Sequence, residues 1–123
     1  MGSPAATLKS WNWPDSLDAI IAAPKHHRLV LENEYVRVLE VRIPAGETVP
    51  MHTHCWPSVL HLMQWADFIR RDEHGSLVLD TRTLPAAAKV TGIAWAEPLV
   101  PHTVENVDSV DFLGIAVEVK VKR

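Results

Sequence analysis

The sequence predicts an all-β protein whose short antiparallel strands form a sandwich or barrel behind an irregular N-terminal arm. Seven to nine short segments rich in Val, Ile and Leu follow one another after residue 27, and turn residues separate them. No segment has the length and the 3.6-residue apolar period of a long helix, and no internal repeat is present. Turns recurring about every ten residues are typical of antiparallel sandwiches and barrels.

Composition indicates one globular domain and narrows the choice of partners. The chain has 123 residues, of which 47% are hydrophobic and 22% charged. A net charge of −3 without a basic run argues against a nucleic-acid partner. No apolar stretch approaches the ~20 residues that span a bilayer, so no membrane partner is expected. Cys55 is the only cysteine, which excludes an intrachain disulfide and favours a reducing, cytoplasmic location.

The residue pattern of the N-terminal part differs from the strand pattern of the rest of the chain. We expect an arm and a short helix over residues 1–27 and the β domain over residues 28–123. Trp11 and Trp13 suggest that the arm packs on the domain or on a partner subunit.

The short helix is expected to include residues 20–22. Asp15 or Ser16 is its predicted N-cap, and Pro24 ends it.

The β segments alternate with turns marked by Gly, Pro, Asn and Asp. Residues 83–92 are expected to form a loop that has room for a short helical turn. One further strand carries His52 and His54. The other expected strands span residues 29–31, 35–43, 59–70, 76–82, 93–96, 103–107 and 111–121.

A glycine, five residues and then His-x-His stand at Gly46, His52 and His54. Alternate side chains of a β-strand point to the same face, so the two imidazoles would enter one cavity. Two neutral imidazoles at this spacing can bind a single metal ion. The pair alone is a weak signal, because neighbouring histidines are common.

A second motif downstream makes the chain resemble the cupin family. The first cupin motif is matched by the residues just named. The second is a glycine, five residues, a proline, a turn, a histidine and, four residues later, an asparagine. It is matched by Gly92, Pro98, His102 and Asn106, with a turn one residue shorter than usual. The resemblance covers residues 28–121.

The resemblance implies a double-stranded β-helix, the jelly-roll barrel of cupins, in which His52, His54 and His102 hold a divalent metal ion. Fe²⁺ is favoured, with Zn²⁺, Mn²⁺, Ni²⁺ and Cu²⁺ as alternatives. Three protein ligands leave open positions on the metal, as in reactive sites.

The chain departs from the first cupin motif at Ser58 and Val59, where the family has a glutamate. The expected ligand set is therefore three neutral imidazoles, which leave the full +2 charge of the metal to attract an anion. Such three-histidine sites occur among cupins that are iron dioxygenases acting on thiols and β-diketones.

Strand parity predicts which neighbours share the cavity. If Ser58 points inward, Leu60, Leu62 and Gln64 follow on the same face and His61 points outward. Gln64 is therefore the candidate catalytic residue. Where the family usually has a glycine, this chain has Trp65, so the strand is expected to continue.

Other polar and aromatic residues have less specific interpretations. Asn106 is expected to hold the turn of the second motif by hydrogen bonds. The histidines at 26 and 27 are expected to be surface or packing residues, and His74 is expected to be solvated in a hairpin turn. Residues 70–73 are expected to form a solvated run of charges. The tryptophans at 56, 65 and 95 fit either a substrate pocket or packing.

The residues and the resemblance together suggest a small Fe(II) dioxygenase acting on a small-molecule substrate. Two alternatives stay open: a redox-neutral lyase, isomerase or hydrolase using the metal as a Lewis acid, and a non-catalytic ligand-binding or sensing protein. We expect a homodimer, as is usual for small single-domain cupins.

Overall fold

The computed structural model describes residues 10–89 and 91–121. Nine strands account for most of this part of the chain, in agreement with the expected all-β class. They are β1 (His27–Glu32), β2 (Val36–Ile43), β3 (Thr48–His54), β4 (Ser58–Gln64), β5 (Phe68–Asp72), β6 (Leu77–Asp80), β7 (Gly92–Ala96), β8 (Leu99–Asn106) and β9 (Phe112–Val119).

The strands form two antiparallel sheets that enclose the core. The five-stranded sheet has the order β1-β2-β9-β4-β7, and the four-stranded sheet has the order β3-β8-β5-β6. Neighbours in each sheet are mostly distant in sequence, as in a jelly roll. The core cluster consists of Ala23, Ile43, Val49 and Val104.

A single short α-helix, α1 (Ala19–Ala22), precedes the first strand among the described residues. Its N-cap is Asp18, whose carboxylate accepts a hydrogen bond from the main-chain N–H of Ile20 at 3.3 Å. The sequence-based caps, Asp15 and Ser16, are wrong because both residues lie in a 3₁₀ turn that ends before the α-helix begins.

The N-terminal segment is joined to β3 as well as to β1. Asp18 forms an isolated parallel bridge with Thr53, which lies between the two histidines of β3. Trp13 is 37% exposed. Residues 1–9 of the arm lie outside the described residues, so the packing role of the arm stays a prediction.

The long strand expected over residues 59–70 is in fact two strands that belong to different sheets. The chain leaves β4 after Gln64 and crosses to the other sheet through Trp65, Ala66 and Asp67. Asp67 N–H donates to the carboxylate of Asp108 at 2.9 Å, and Ala66 is completely buried. The crossing has ordinary negative φ angles, so it needs no glycine.

The expected loop at residues 83–92 contains a 3₁₀ turn at Ala86–Ala88, and a second one precedes it at Thr81–Thr83. Residue 90 lies outside the described part. No described helix is long and apolar enough to cross a membrane. One chain alone does not test the expected homodimer, which stays a prediction.

Candidate metal centre

Strands β3 and β8 bring the three histidines of the two sequence motifs together. His52 and His102 are direct cross-strand partners, and β3 has register shifts on both sides of His52. The ring centroids of these two residues are 4.3 Å apart. The centroid of His54 lies 5.0 Å from that of His52 and 5.9 Å from that of His102.

A fourth imidazole joins the cluster from β1. The ring centroid of His27 lies 4.8 Å from that of His52 and 5.2 Å from that of His54. The potential ligand atoms of these three residues lie within 4.8 Å of one another. His27 is only 5% exposed, which agrees with the packing alternative of its sequence-based interpretation, but its contact with the cluster was not expected. Its position just after α1, at the start of β1, turns it toward the cluster.

Each of the four imidazoles is held through its Nδ1 atom by an oxygen acceptor. Nδ1 then carries the proton, and Nε2 keeps the lone pair that a metal ion requires. This common tautomer fits a divalent metal ion. Three of the acceptors are main-chain carbonyls: Ala23 for His27 (3.0 Å), Pro50 for His52 (2.8 Å) and Val100 for His102 (2.7 Å).

The acceptor for His54 is a carboxylate, Glu118 of β9, at 3.1 Å. The other oxygen of Glu118 accepts from Nε of Arg37 at 2.6 Å. The two terminal nitrogens of Arg37 donate to the carboxylate of Asp18 at 2.8 and 2.9 Å. A buried chain of charges therefore runs from the N-cap of α1 to the histidine cluster.

The charges of this network stabilise one another despite their burial. Burial works against the charged form of Arg37, but the hydrogen bonds with Asp18 and Glu118 outweigh it and raise the Arg37 pKa. Burial likewise disfavours ionised Glu118, yet the hydrogen bonds from His54 and Arg37 lower its pKa. Glu118 is therefore an anion that accepts a proton from neither partner at neutral pH.

Burial also keeps three imidazoles of the cluster neutral. It lowers the pKa of His27 to about 4, of His52 to about 2 and of His102 to about 3, and neighbouring histidines reinforce the effect. Neutral imidazole is the form that binds metals.

The cluster lies in a cavity of about 140 Å³ between the two sheets, and apolar side chains form most of its wall. Ser58, Leu60 and Leu62 line it, as strand parity predicts. The polar residues that line it besides the histidines include Arg70 of β5 and Glu97, an exposed residue between β7 and β8.

The structure does not bring Gln64, the candidate catalytic residue, into this cavity. Its side-chain amide donates instead to the main-chain carbonyl of Asp111 at 2.6 Å. The pairing of β4 with β9 shifts register between Leu62 and Gln64, which breaks the alternation on which the prediction rested. Gln64 therefore has a structural contact here and no contact with the cluster.

The remaining histidines and Asn106 agree with their sequence-based interpretations. His61 is exposed on β4, and the His74 side chain is 78% exposed in a hairpin turn. His26 is buried and its Nε2 lies 3.0 Å from the Glu47 carboxylate. Asn106 donates to two main-chain carbonyls and accepts from the N–H of Asp108, which fixes the turn between β8 and β9.

None of the three tryptophans of the domain lines the cavity. Trp56 lies between the cationic groups of Arg37 and Lys120, at 5.2 and 5.5 Å from its ring. Trp65 packs against aromatic rings of the core, and Trp95 is 57% exposed and hydrogen-bonded to a neighbouring glutamate. The substrate-pocket alternative therefore fits none of them, and packing describes Trp56 and Trp65.

Sequence reasoning missed His27, Glu118 and Arg70. A signal for Glu118 was present, because a glutamate among the valines of β9 is unusual in a buried strand. It lies directly opposite Arg37 in the β2–β9 pairing. Arg70 gave none, since the residues around it suggested a solvated run of charges. The role of His27 depends on the packing of α1, which the local sequence does not determine.

Comparison with solved structures supports the fold. A cupin domain from Bordetella pertussis Tohama I superposes with a TM-score of 0.57 at 21% identity, over 77% of this chain and 92% of that one. An RmlC-like cupin family protein from Methanocaldococcus jannaschii gives 0.53 at 16% identity, over 76% and 77% of the two chains. A conserved double-stranded β-helix protein from Klebsiella pneumoniae gives 0.52 at 19%, over 76% and 74%.

No family profile matches the sequence, and no curated protein is significantly similar to it. The class is therefore defined by the fold: two antiparallel sheets in the double-stranded β-helix arrangement. The protein has the cupin fold, and its histidine cluster is a candidate site for a divalent metal ion.

Proposed function

We propose that the protein is a metal-dependent enzyme of the non-haem Fe(II) dioxygenase type, with His27, His52, His54 and His102 as the metal ligands. One observation carries the proposal: all four imidazoles converge on one cavity with Nδ1 bound to an oxygen and Nε2 left free. Packing in a core does not require four neighbouring histidines to carry the proton on the same atom, Nδ1.

A bound Fe²⁺ would supply electrons for O₂ chemistry and would orient the substrate. The protein's own contribution is fourfold. Main-chain carbonyls and Glu118 fix the imidazoles, neutral ligands leave the charge of the metal uncompensated, apolar walls exclude water, and the cavity limits the size of the substrate.

A redox-neutral reaction is the second candidate, and Glu97 favours it. Such chemistry needs a general base within reach of the substrate. Glu97 lies at the exposed end of the cavity. Among the described residues that line the cavity, it is the one with a carboxylate. In this alternative Zn²⁺ or Mn²⁺ held by the histidines would supply a Lewis acid, and Glu97 would accept or donate the substrate's proton.

The test compares metals and atmospheres with the same substrates. Metal-free protein is loaded anaerobically with Fe²⁺ or Zn²⁺ and incubated with thiols, β-diketones and phenols, and O₂ consumption and products are measured. The dioxygenase proposal expects turnover only with Fe²⁺ and O₂. Turnover with Zn²⁺ under nitrogen that Glu97→Gln abolishes would select the redox-neutral reaction. Binding of a ligand without any turnover would indicate a sensing protein.

His61→Ala is the matched control for this experiment. His61 lies on β4 beside the cavity wall but faces outward, so its loss is expected to leave turnover unchanged. His52→Ala is expected to abolish turnover with either metal.

A further inference from the structure

The cavity contains one cation that has no anionic partner among the described residues. Arg70 lines the cavity from β5, next to Phe68, whose ring centroid lies 5.5 Å from the guanidinium carbon. Its Nε atom is buried and has no hydrogen-bond partner. All the other described arginines are paired with carboxylates: Arg28, Arg37, Arg42, Arg71 and Arg82.

An unpaired guanidinium in this position is costly. Leaving a buried donor unsatisfied is destabilising, and more so when the group is charged. Burial lowers the pKa of Arg70, but an arginine stays protonated in proteins. A carboxylate paired with Arg70 would remove the cost, and none of the described residues supplies one.

The other charges in and around the cavity also favour an anionic ligand. Imidazole binds a metal ion in its neutral form, and the carboxylates near the cluster are already engaged: Glu118 by His54 and Arg37, and Glu97 by Trp95. A divalent ion at the cluster would therefore share an apolar cavity with the positive charge of Arg70. Two like charges in such surroundings repel each other strongly unless an anion lies with them.

We propose that Arg70 binds the carboxylate of a small, otherwise apolar substrate and so selects organic acids for this site. The inference rests on the proposed function, because it places the acid beside the metal. Arg70 pairs with Val104 of β8, two residues from His102, so it borders the cluster from the neighbouring strand. A guanidinium matches a carboxylate through two parallel hydrogen bonds.

The size of the cavity restricts the apolar part of the acid. A dry cavity of about 150 Å³ accommodates benzene. The cavity here measures about 140 Å³ and opens to solvent beside Glu97. A single aromatic ring or a branched chain of similar volume fits this space, whereas a bicyclic acid does not.

The experiment measures binding of benzoate and of its neutral isostere, benzamide, by isothermal titration calorimetry. It uses the full chain, both metal-free and loaded with Zn²⁺, which reports binding without turnover. Charge-assisted hydrogen bonds contribute about 1.5–3 kcal/mol, so wild-type protein is expected to prefer benzoate by at least about tenfold. Arg70→Met is expected to abolish the preference, and Arg70→Lys to retain part of it.

Arg71→Met is the matched control, because Arg71 is the next residue of β5 and pairs at the surface with Glu105. It is expected to keep the wild-type preference. Circular dichroism and the Tm of each variant confirm folding, and Arg70→Lys serves if Arg70→Met does not fold. Equal affinity of wild type for benzoate and benzamide, no binding of benzoate, a preference that survives in folded Arg70→Met, or an undiminished preference in Arg70→Lys would overturn the proposal.

Metal content measured in the same samples separates the two proposals. Wild-type protein that prefers benzoate through Arg70 but binds no metal would refute the proposed function and leave the role of Arg70 intact. Wild-type protein that binds metal but does not prefer benzoate would refute the role of Arg70 alone.

Discussion

The Nδ1 atom of His54 lies 3.1 Å from a carboxylate oxygen of Glu118, whose side chain is only 1% exposed. Cupins usually have a glutamate in the first motif, and this chain has Ser58 and Val59 there. Glu118 supplies a carboxylate from another strand, hydrogen-bonded to His54 rather than among the proposed metal ligands. It orients an imidazole and raises its basicity, as carboxylates behind metal-binding histidines do.

Glu118→Gln is expected to weaken metal binding by about 10–100-fold. The glutamine oxygen would turn to Arg37, so its NH₂ group would face Nδ1 of His54 and drive the proton to Nε2. Competition with a chromophoric chelator measures the affinity, and ¹⁵N NMR of the metal-free protein reports the tautomer. Glu40→Gln, at an exposed pair with Arg28, is the control. Unchanged affinity and an unchanged tautomer in E118Q would contradict this role.

Arg37→Met is expected to destabilise the protein by about 3–5 kcal/mol, because it leaves Glu118 and Asp18 without their buried counter-charge. Urea denaturation measures the change in the free energy of unfolding. The control is Arg28→Met, which removes an exposed ion pair with Glu40 and should change the free energy of unfolding much less than Arg37→Met does. A similar decrease in the free energy of unfolding in the two variants would show that the buried network does not stabilise the fold more than an exposed ion pair does.

Asn106→Ala is expected to destabilise the fold by at least about 1–3 kcal/mol, since the main-chain carbonyls of Ile43 and Val110 lose their donor. Asn12→Ala, at an exposed position of the arm, should change the free energy of unfolding by less than about 0.5 kcal/mol. Thermal and urea denaturation check both values. Full stability of the Asn106 variant would mean that the turn holds without its side chain.

Much of the fold was accessible from the sequence because the strands carry their own signals. Alternation and turn residues located most strands, and the resemblance to the two cupin motifs anticipated three imidazoles, of His52, His54 and His102, that the structure brings together. The strand expected over residues 59–70 was wrong, since an apolar run does not show at which residue a chain passes from one sheet to the other.

The part of the site that the sequence left out depends on long-range packing. His27 reaches the cluster because α1 packs beside β3, and Ala23 at the end of α1 fixes the imidazole. Gln64 was misplaced because one register shift reverses the face of every later residue in a strand. Neither effect has a signature within a few residues of the side chain concerned.

The central claim is that the histidine cluster binds one divalent metal ion, and metal stoichiometry tests it most directly. Protein purified without chelators is analysed by inductively coupled plasma mass spectrometry, beside His27→Ala, His52→Ala, His102→Ala and the outward-facing control His61→Ala. We expect close to one metal ion per chain in wild type and H61A, little or none in H52A and H102A, and a clear loss in H27A. Equal metal content in all five proteins, or none in folded wild type after reconstitution with Fe²⁺ or Zn²⁺, would contradict the account.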